Sequence, residues 1–155
     1  MSNNRITDFK NLNDNQKDLL TVNIIKGLVM DGVRNANSGH PGGPMSLADF
    51  TYILYSEFLT IDPKNPDWEN RDRVVLSVGH TCMLIYSILY LCGILKMDDL
   101  KNFRKLGSLT PGHPEIETPG IDASTGPLGQ GVGMGIGMAL ACLLYTSDAA
   151  DEVVR

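Results

Sequence analysis

The chain has 155 residues, of which 43% are hydrophobic and 20% are charged, and this composition is typical of one globular domain rather than of a disordered or fibrous protein. Its formal net charge is −5 and its basic residues are dispersed, so we expect no nucleic-acid partner. The three cysteines lie in apolar stretches without paired spacing, which favours a cytoplasmic protein over a disulfide scaffold.

The first half of the chain predicts two helices after a polar segment at residues 1–14, which has no apolar core of a secretory signal. Apolar residues recur at helical spacing from Asn15 to Asn35, and Asn37–Gly39 then ends the helix. A second helical pattern begins at Ser46 and is broken by the two prolines within Asp62–Pro66. We expect the compact domain to span residues 15–141.

The middle of the chain predicts a strand followed by two helices and a long loop. Arg73–Ser77 is short and β-branched, which is typical of a buried strand. An almost wholly apolar helix is predicted over Thr81–Ile94, and a short amphipathic helix over Asp98–Leu106. The loop Gly107–Gly126 contains three prolines, and loops of this length are usually functional.

The chain reads as helix again from Leu128, although glycine occupies every second position from 129 to 137. Each interior glycine costs about 0.5–1 kcal/mol of helix stability relative to alanine, so the glycines indicate a close approach that side chains would block. Packed membrane helices also carry spaced glycines, but this stretch is only weakly hydrophobic. The apolar run Thr81–Leu95 is too short to span a bilayer. We therefore expect no membrane insertion.

All three histidines follow a glycine, which chance alone would produce roughly once in a thousand sequences of this composition. His40 and His113 also precede proline, which holds each of them extended. His80 follows the predicted strand, where ligand-binding groups of α/β folds lie. The pattern predicts that the three imidazoles converge on one crevice. The alternatives are that each histidine fills a turn or cap, or that they bind zinc, although no cysteine or carboxylate accompanies them at ligand spacing.

The segment Gly126–Gly131 opens the glycine-rich helix and could bring backbone amides close to a diphosphate or a heterocycle, since helix amino termini attract anions. Its glycines do not form the dinucleotide fingerprint, and no strand directly precedes them, which disfavours a nicotinamide cofactor. A glycine face used only for helix packing remains an alternative.

Four motifs, taken in chain order, closely resemble those of transketolases. They are Asn37-Ser38-Gly39-His40-Pro41-Gly42-Gly43-Pro44, Arg71-Asp72-Arg73 with Leu76-Ser77-Val78-Gly79-His80, Thr110-Pro111-Gly112-His113-Pro114-Glu115, and Ser124-Thr125-Gly126-Pro127-Leu128-Gly129-Gln130-Gly131. The resemblance covers about residues 15–141. It implies the amino-terminal part of a thiamine diphosphate-binding, parallel-sheet α/β domain, truncated and rich in helix.

The resemblance also implies a site. The family would contact thiamine diphosphate through His80, Gly126, Pro127 and Leu128. It would face the sugar phosphate substrate with His40 and His113, while a two-carbon ketol unit passes from a ketose phosphate to an aldose phosphate. Mg²⁺ or Ca²⁺ would be held by ligands beyond this sequence, and the whole enzyme would be a homodimer.

The sequence departs from the family after Ala141, where residues 142–155 resemble translated sequencing adapter, and we expect them to be non-native. The family's metal ligands are not encoded, so we expect the chain alone to be inactive. Dihydroxyacetone synthase would look nearly identical here, whereas deoxyxylulose phosphate synthase usually has Asp where Ser77 stands. A split amino-terminal subunit and a non-catalytic fragment are the remaining alternatives.

Overall fold

The computed structural model describes residues 9–146, and within this range the ordered elements are helical. The α-helices are α1 (Asp14–Ala36), α2 (Gly42–Ile53), α3 (Met83–Leu91), α4 (Met97–Lys101) and α5 (Gln130–Thr146). Shorter turns lie at Phe9–Asn11, Leu54–Phe58 and Gly79–Thr81. None of these helices is both long and apolar enough to cross a membrane. Most of the polar segment 1–14 and residues 147–155 of the expected tail fall outside the described range.

Helix α1 confirms the helix predicted from Asn15 to Asn35, because its ends carry the side chains that helix ends require. Asn13 Oδ1 accepts a hydrogen bond from the Gln16 backbone N–H at 2.9 Å, and Gln16 Oε1 accepts one from the Asn13 N–H at 3.0 Å. This capping box satisfies amides that have no partner inside the helix. Asn37 ends the helix in the left-handed conformation, with φ 48°.

Helix α2 begins at Gly42, earlier than the predicted start at Ser46. Its first turn contains Pro44, and proline is tolerated there because its missing N–H would have no partner within the helix. A π-helical turn over Leu54–Phe58 extends α2 before the chain turns away. The start of α2 therefore lies close to His40.

Helix α3 forms the centre of the packed body. Every residue from Thr81 to Leu89 is buried, as expected for a helix that is apolar on all sides. One side packs with Val29 of α1 and with Leu100 and Phe103 around α4, and another packs with Ile25 of α1 and Ala48 of α2. The helix ends at Leu91, before the predicted Ile94, because Gly93 turns the chain with φ 82°.

The strand predicted at Arg73–Ser77 is wrong, and residues 9–146 contain no strand. A strand needs a neighbouring strand for its backbone hydrogen bonds, and here side chains take that place. The Val74 N–H donates to Asp122 Oδ2 at 2.9 Å, and the Leu76 carbonyl accepts from Thr125 Oγ1 at 2.7 Å. The expected α/β character is therefore corrected to a helical architecture for the described part of the chain.

Helix α4 is shorter than the predicted Asp98–Leu106, because the chain buries Phe103 and then turns through Arg104 at φ 64°. The predicted loop Gly107–Gly126 is confirmed as irregular. Buried threonines fasten it to its surroundings: Thr110 Oγ1 donates to the Asp99 carbonyl, and Thr118 Oγ1 to the Leu109 carbonyl, each at 2.7 Å. The loop is thus part of the packed body.

Candidate functional site

His40 and His80 are in direct contact, although they belong to different parts of the chain. Their ring centroids lie 4.9 Å apart with an interplanar angle of 68°, an edge-to-face arrangement. His40 is exposed in the connection between α1 and α2, and His80 is half-buried in the turn that precedes α3. The two imidazoles therefore lie together between the start of α2 and the turn that precedes α3.

Gly43 allows this contact, because it lets the first turn of α2 rest directly on the turn that carries His80. A Cβ atom placed on Gly43 would lie 2.6 Å from Thr81 Cγ2, closer than real Cβ atoms approach. Gly43, the second glycine after His40-Pro41 in the first motif, therefore has a packing reason, whereas a Cβ on Gly42 would meet nothing within 4 Å.

Gly79 brings the backbone of the long loop against the same turn. A Cβ on Gly79 would lie 2.9 Å from the carbonyl carbon and oxygen of Thr125, and 3.0 Å from the Gly126 nitrogen. The Thr125 N–H donates to the Pro114 carbonyl at 3.2 Å, which fixes the end of the loop. Any side chain at residue 79 would force these two backbones apart.

His113 is exposed and lies next to Gly126. A Cβ on Gly126 would lie 3.7 Å from His113 Cδ2, so the imidazole covers this glycine at ordinary contact distance. The contacts from His40 to His80, from Gly79 to Gly126 and from Gly126 to His113 thus link all three histidines in one region, as the sequence predicts.

Two buried side chains, one in α3 and one just before it, support the loop that carries His113. Tyr86 Oη lies 3.0 Å from the Pro111 carbonyl oxygen and 3.1 Å from that of His113, so its O–H proton is shared between two acceptors. The Cys82 thiol donates to the Gly112 carbonyl at 3.1 Å. Burial raises the pKa of Cys82 to about 12 and also raises the pKa of Tyr86, which keeps both groups protonated as donors.

The start of α5 also reaches this region. Gly129 turns the chain with φ 84°, and a Cβ on Gly131 would lie 2.7 Å from Ser77 Cα and 3.0 Å from Val75 Cγ1. Pro127 and Leu128 are exposed just before the helix. A close approach is therefore found at Gly131, whereas the glycine pattern predicts one along the face of Gly129, Gly133 and Gly137. A Cβ added at any of these three glycines would meet no other part of the described chain within 4 Å, so that prediction is not borne out within residues 9–146.

A buried ion pair behind the site has no clear signal in the sequence. Asp122, whose side chain is 5% exposed, accepts hydrogen bonds from Arg71 Nη2 at 2.6 Å, from Arg73 Nη1 at 3.1 Å and from the Val74 N–H. The two arginines belong to the motif that includes Arg71-Asp72-Arg73, but Asp122 lies in the long loop and belongs to no motif. This carboxylate fastens that loop to the segment leading to His80.

No group of three or more histidine, cysteine, aspartate or glutamate side chains in residues 9–146 is placed to hold a metal ion. The groups in this region are the three imidazoles, the backbone of the loop at its glycines, and the amino terminus of α5. Such groups suit an anionic or heterocyclic ligand.

Comparisons with known proteins agree on one family. Residues 17–152 match the family model described as "Transketolase, thiamine diphosphate binding domain". A transketolase of Buchnera aphidicola is 59% identical over 121 residues, which is 77% of this chain and 18% of that protein. Halalkalibacterium halodurans has a transketolase that is 56% identical over 124 residues, 79% of this chain and 19% of its own length.

The similarity extends to solved structures. The transketolase of Leishmania mexicana matches with a TM-score of 0.78 and 47% identity, over 80% of this chain and 19% of that chain. The chain therefore spans less than a fifth of the length of these relatives.

Proposed function

The chain belongs to the transketolase family through its thiamine diphosphate-binding domain, and from that premise we propose that it carries part of the active site of an enzyme that transfers two-carbon ketol units. The observation that carries the proposal is the contact of His40 with His80, together with the backbone of Thr125 and Gly126 packed on Gly79. This arrangement joins three of the four family motifs in one place.

The cofactor side of the proposed site consists of His80 and the backbone of Gly126, Pro127 and Leu128. The residues present fit a diphosphate group, because Pro127, Leu128 and Gly129 are exposed and the amino terminus of α5 follows directly. When bound, thiamine diphosphate supplies a nucleophilic carbon and an electron sink for cleavage of a carbon–carbon bond. This chain supplies the groups that hold and orient it.

The substrate side consists of His40 and His113, both of which are exposed next to a proline. An imidazole can donate one hydrogen bond and accept another, so these histidines can orient the hydroxyl groups of a sugar and move a proton between them. Cys82 and Tyr86 donate hydrogen bonds to the backbone carbonyls of Gly112 and His113. These bonds hold in place the loop that carries the His113 imidazole. We assign sugar phosphates as the substrate class.

The rest of the enzyme lies outside this sequence in our proposal, because the chain covers only 18% of the Buchnera aphidicola transketolase. Mg²⁺ or Ca²⁺ would be held by residues of the longer polypeptide, and the working enzyme would be a homodimer. We therefore expect the 155-residue chain alone to show no two-carbon transfer with thiamine diphosphate and Mg²⁺ in excess. Sustained turnover above that of a His40→Ala control would contradict this expectation.

The roles of the cofactor side and the substrate side can be tested with variants of the full-length protein that contains this chain. His80→Ala should weaken thiamine diphosphate binding in calorimetry. His40→Ala and His113→Ala should leave binding largely intact but lower turnover by about a hundredfold or more, as expected for lost proton transfer. Asn23→Ala, on the exposed face of α1, is the control. Wild-type kinetics in all three histidine variants at limiting cofactor would refute the assignment.

A further inference from the structure

Arg104 has an unusual backbone conformation between the two loops of the proposed substrate side. Its φ of 64° lies in the left-handed region, which costs free energy for a residue with a side chain. The turn is fixed on both sides, because Phe103 is buried before it and the Arg104 N–H donates to the Thr110 carbonyl at 2.9 Å. Such a conformation persists only where the surroundings hold it in place.

The guanidinium group of Arg104 contacts both histidine loops. Nη1 donates to Ser38 Oγ at 2.8 Å, and Ser38 precedes His40 by two residues. A Cβ on Gly112, the residue before His113, would lie 3.2 Å from Arg104 Cζ, so the guanidinium rests directly on that backbone. The same group lies over the Phe103 ring, with Cζ 5.5 Å from the ring centroid. One side chain therefore spans the distance between the two loops.

The Nε atom of Arg104 adds a second unfavourable feature. It is buried and has no acceptor within the part of the chain that the structure describes. A buried donor without a partner destabilises a fold, so this position is not optimised for stability alone. A planar guanidinium can bond Ser38 at its edge while its face lies on Phe103, which an ammonium group cannot do.

We propose that Arg104 is a positioning residue that sets the spacing between the His40 loop and the His113 loop. Arg104 does not act on the substrate itself. It acts through Ser38 and Gly112, which hold the two imidazoles at a fixed separation across the substrate. The role rests on the proposed function of those histidines, whereas the bridge between the loops rests on the contacts alone.

The experiment compares three variants in the full-length protein that contains this chain. Arg104→Gly removes the bridge but keeps the turn, because glycine adopts φ 64° without strain. Arg104→Lys keeps the charge and loses the planar group. Lys105→Met, which removes the neighbouring exposed charge, is the matched control.

The first readout is hydrogen–deuterium exchange measured without cofactor or substrate. We expect faster exchange at residues 36–42 and 107–114 in Arg104→Gly, a smaller increase in Arg104→Lys, and no change in Lys105→Met. Unchanged exchange of either segment in Arg104→Gly would overturn the bridge, whatever the enzyme does. This measurement tests the bridge between the two loops even if the protein has no ketol-transferase activity.

The second readout is steady-state kinetics with calorimetric binding of thiamine diphosphate. Arg104→Gly should lower kcat/KM for the sugar by up to about a hundredfold, because a displacement of about 1 Å is enough to misalign a catalytic group. Cofactor affinity should stay at the wild-type value, and Arg104→Lys should recover part of the loss. An active wild-type enzyme whose Arg104→Gly variant keeps wild-type kcat/KM would overturn the positioning role. A loss of cofactor affinity equal to the loss in kcat/KM would overturn it as well.

Discussion

Helices α3 and α5 both lack charged residues, but their surroundings are opposite. α3 is enclosed by α1, α2 and α4 and is buried from Met83 to Leu89. Five large apolar side chains of α5 are more than half exposed: Val132, Ile136, Leu140, Leu143 and Leu144. Apolar composition alone therefore does not decide whether a helix is buried. The packed body of residues 14–126 holds the histidines in place, and α5 contributes to the site mainly through its start.

Thiol reactivity should give the largest difference between these two regions. Cys82 is buried directly before α3 with a pKa raised to about 12 by burial, whereas Cys142 is exposed on α5. Since the thiolate is the reactive form, Ellman's reagent at about pH 8 should modify Cys142 orders of magnitude faster than Cys82. A Cys142→Ser variant should lose the fast phase. Equal rates for the two thiols in the folded chain would show that α3 is not enclosed.

Removal of the Asp122 carboxylate should give the largest loss of stability in the body. Asp122→Ala leaves the buried Arg71 without its ion-pair partner, and such losses are about 3–5 kcal/mol in the free energy of unfolding. Denaturant unfolding of the two proteins measures this difference. Asp98→Ala breaks the exposed pair with Lys101 and should have almost no effect. Similar small effects of both substitutions would mean that the loop is not fastened through Asp122.

Two alanine substitutions in α5 should change the free energy of unfolding in opposite directions. Gly131→Ala places a Cβ 2.7 Å from Ser77 Cα, and such overpacking destabilises by about 1–3 kcal/mol. Gly133→Ala meets nothing within 4 Å and should stabilise the helix by about 0.5–1 kcal/mol. Thermal unfolding of the chain distinguishes the two. A destabilising Gly133→Ala would show that another part of the protein covers this face of α5, as the glycine pattern predicts.

The helices of the body could be predicted from local signals. The apolar spacing of α1 and its flanking Asn13 and Asn37 are visible in the sequence, and so is the length of the apolar run that becomes α3. The error at Arg73–Ser77 has a physical reason, because β-branched residues favour an extended chain but cannot supply the neighbouring strand. Side chains of Asp122 and Thr125 bond that segment instead.

The candidate site could be predicted only in part. The Gly-His pairs predict that the three histidines lie together, and the contacts of His40 with His80 and of Gly126 with His113 agree. The roles of these histidines stay predictions. The contacts of Arg104 and Asp122 could not be predicted from the sequence, because their partners are distant along the chain. Ser38 lies 66 residues from Arg104, and Arg71 lies 51 residues from Asp122. Spacing rules cover neighbours along one element and do not reach such pairs.

The loop backbone that packs on Gly79 has a consequence for the order of folding. Thr125 bonds the Leu76 carbonyl across 49 residues, and the adjacent contact of Gly79 with Gly126 spans a similar length of chain. Such contacts form only after a long segment closes on itself, which is entropically costly and slow compared with forming a helix. α1 can therefore form early, during synthesis of the chain, before the contacts between the motifs have formed. A ligand that binds this backbone would recognise only chains whose long loop has already closed.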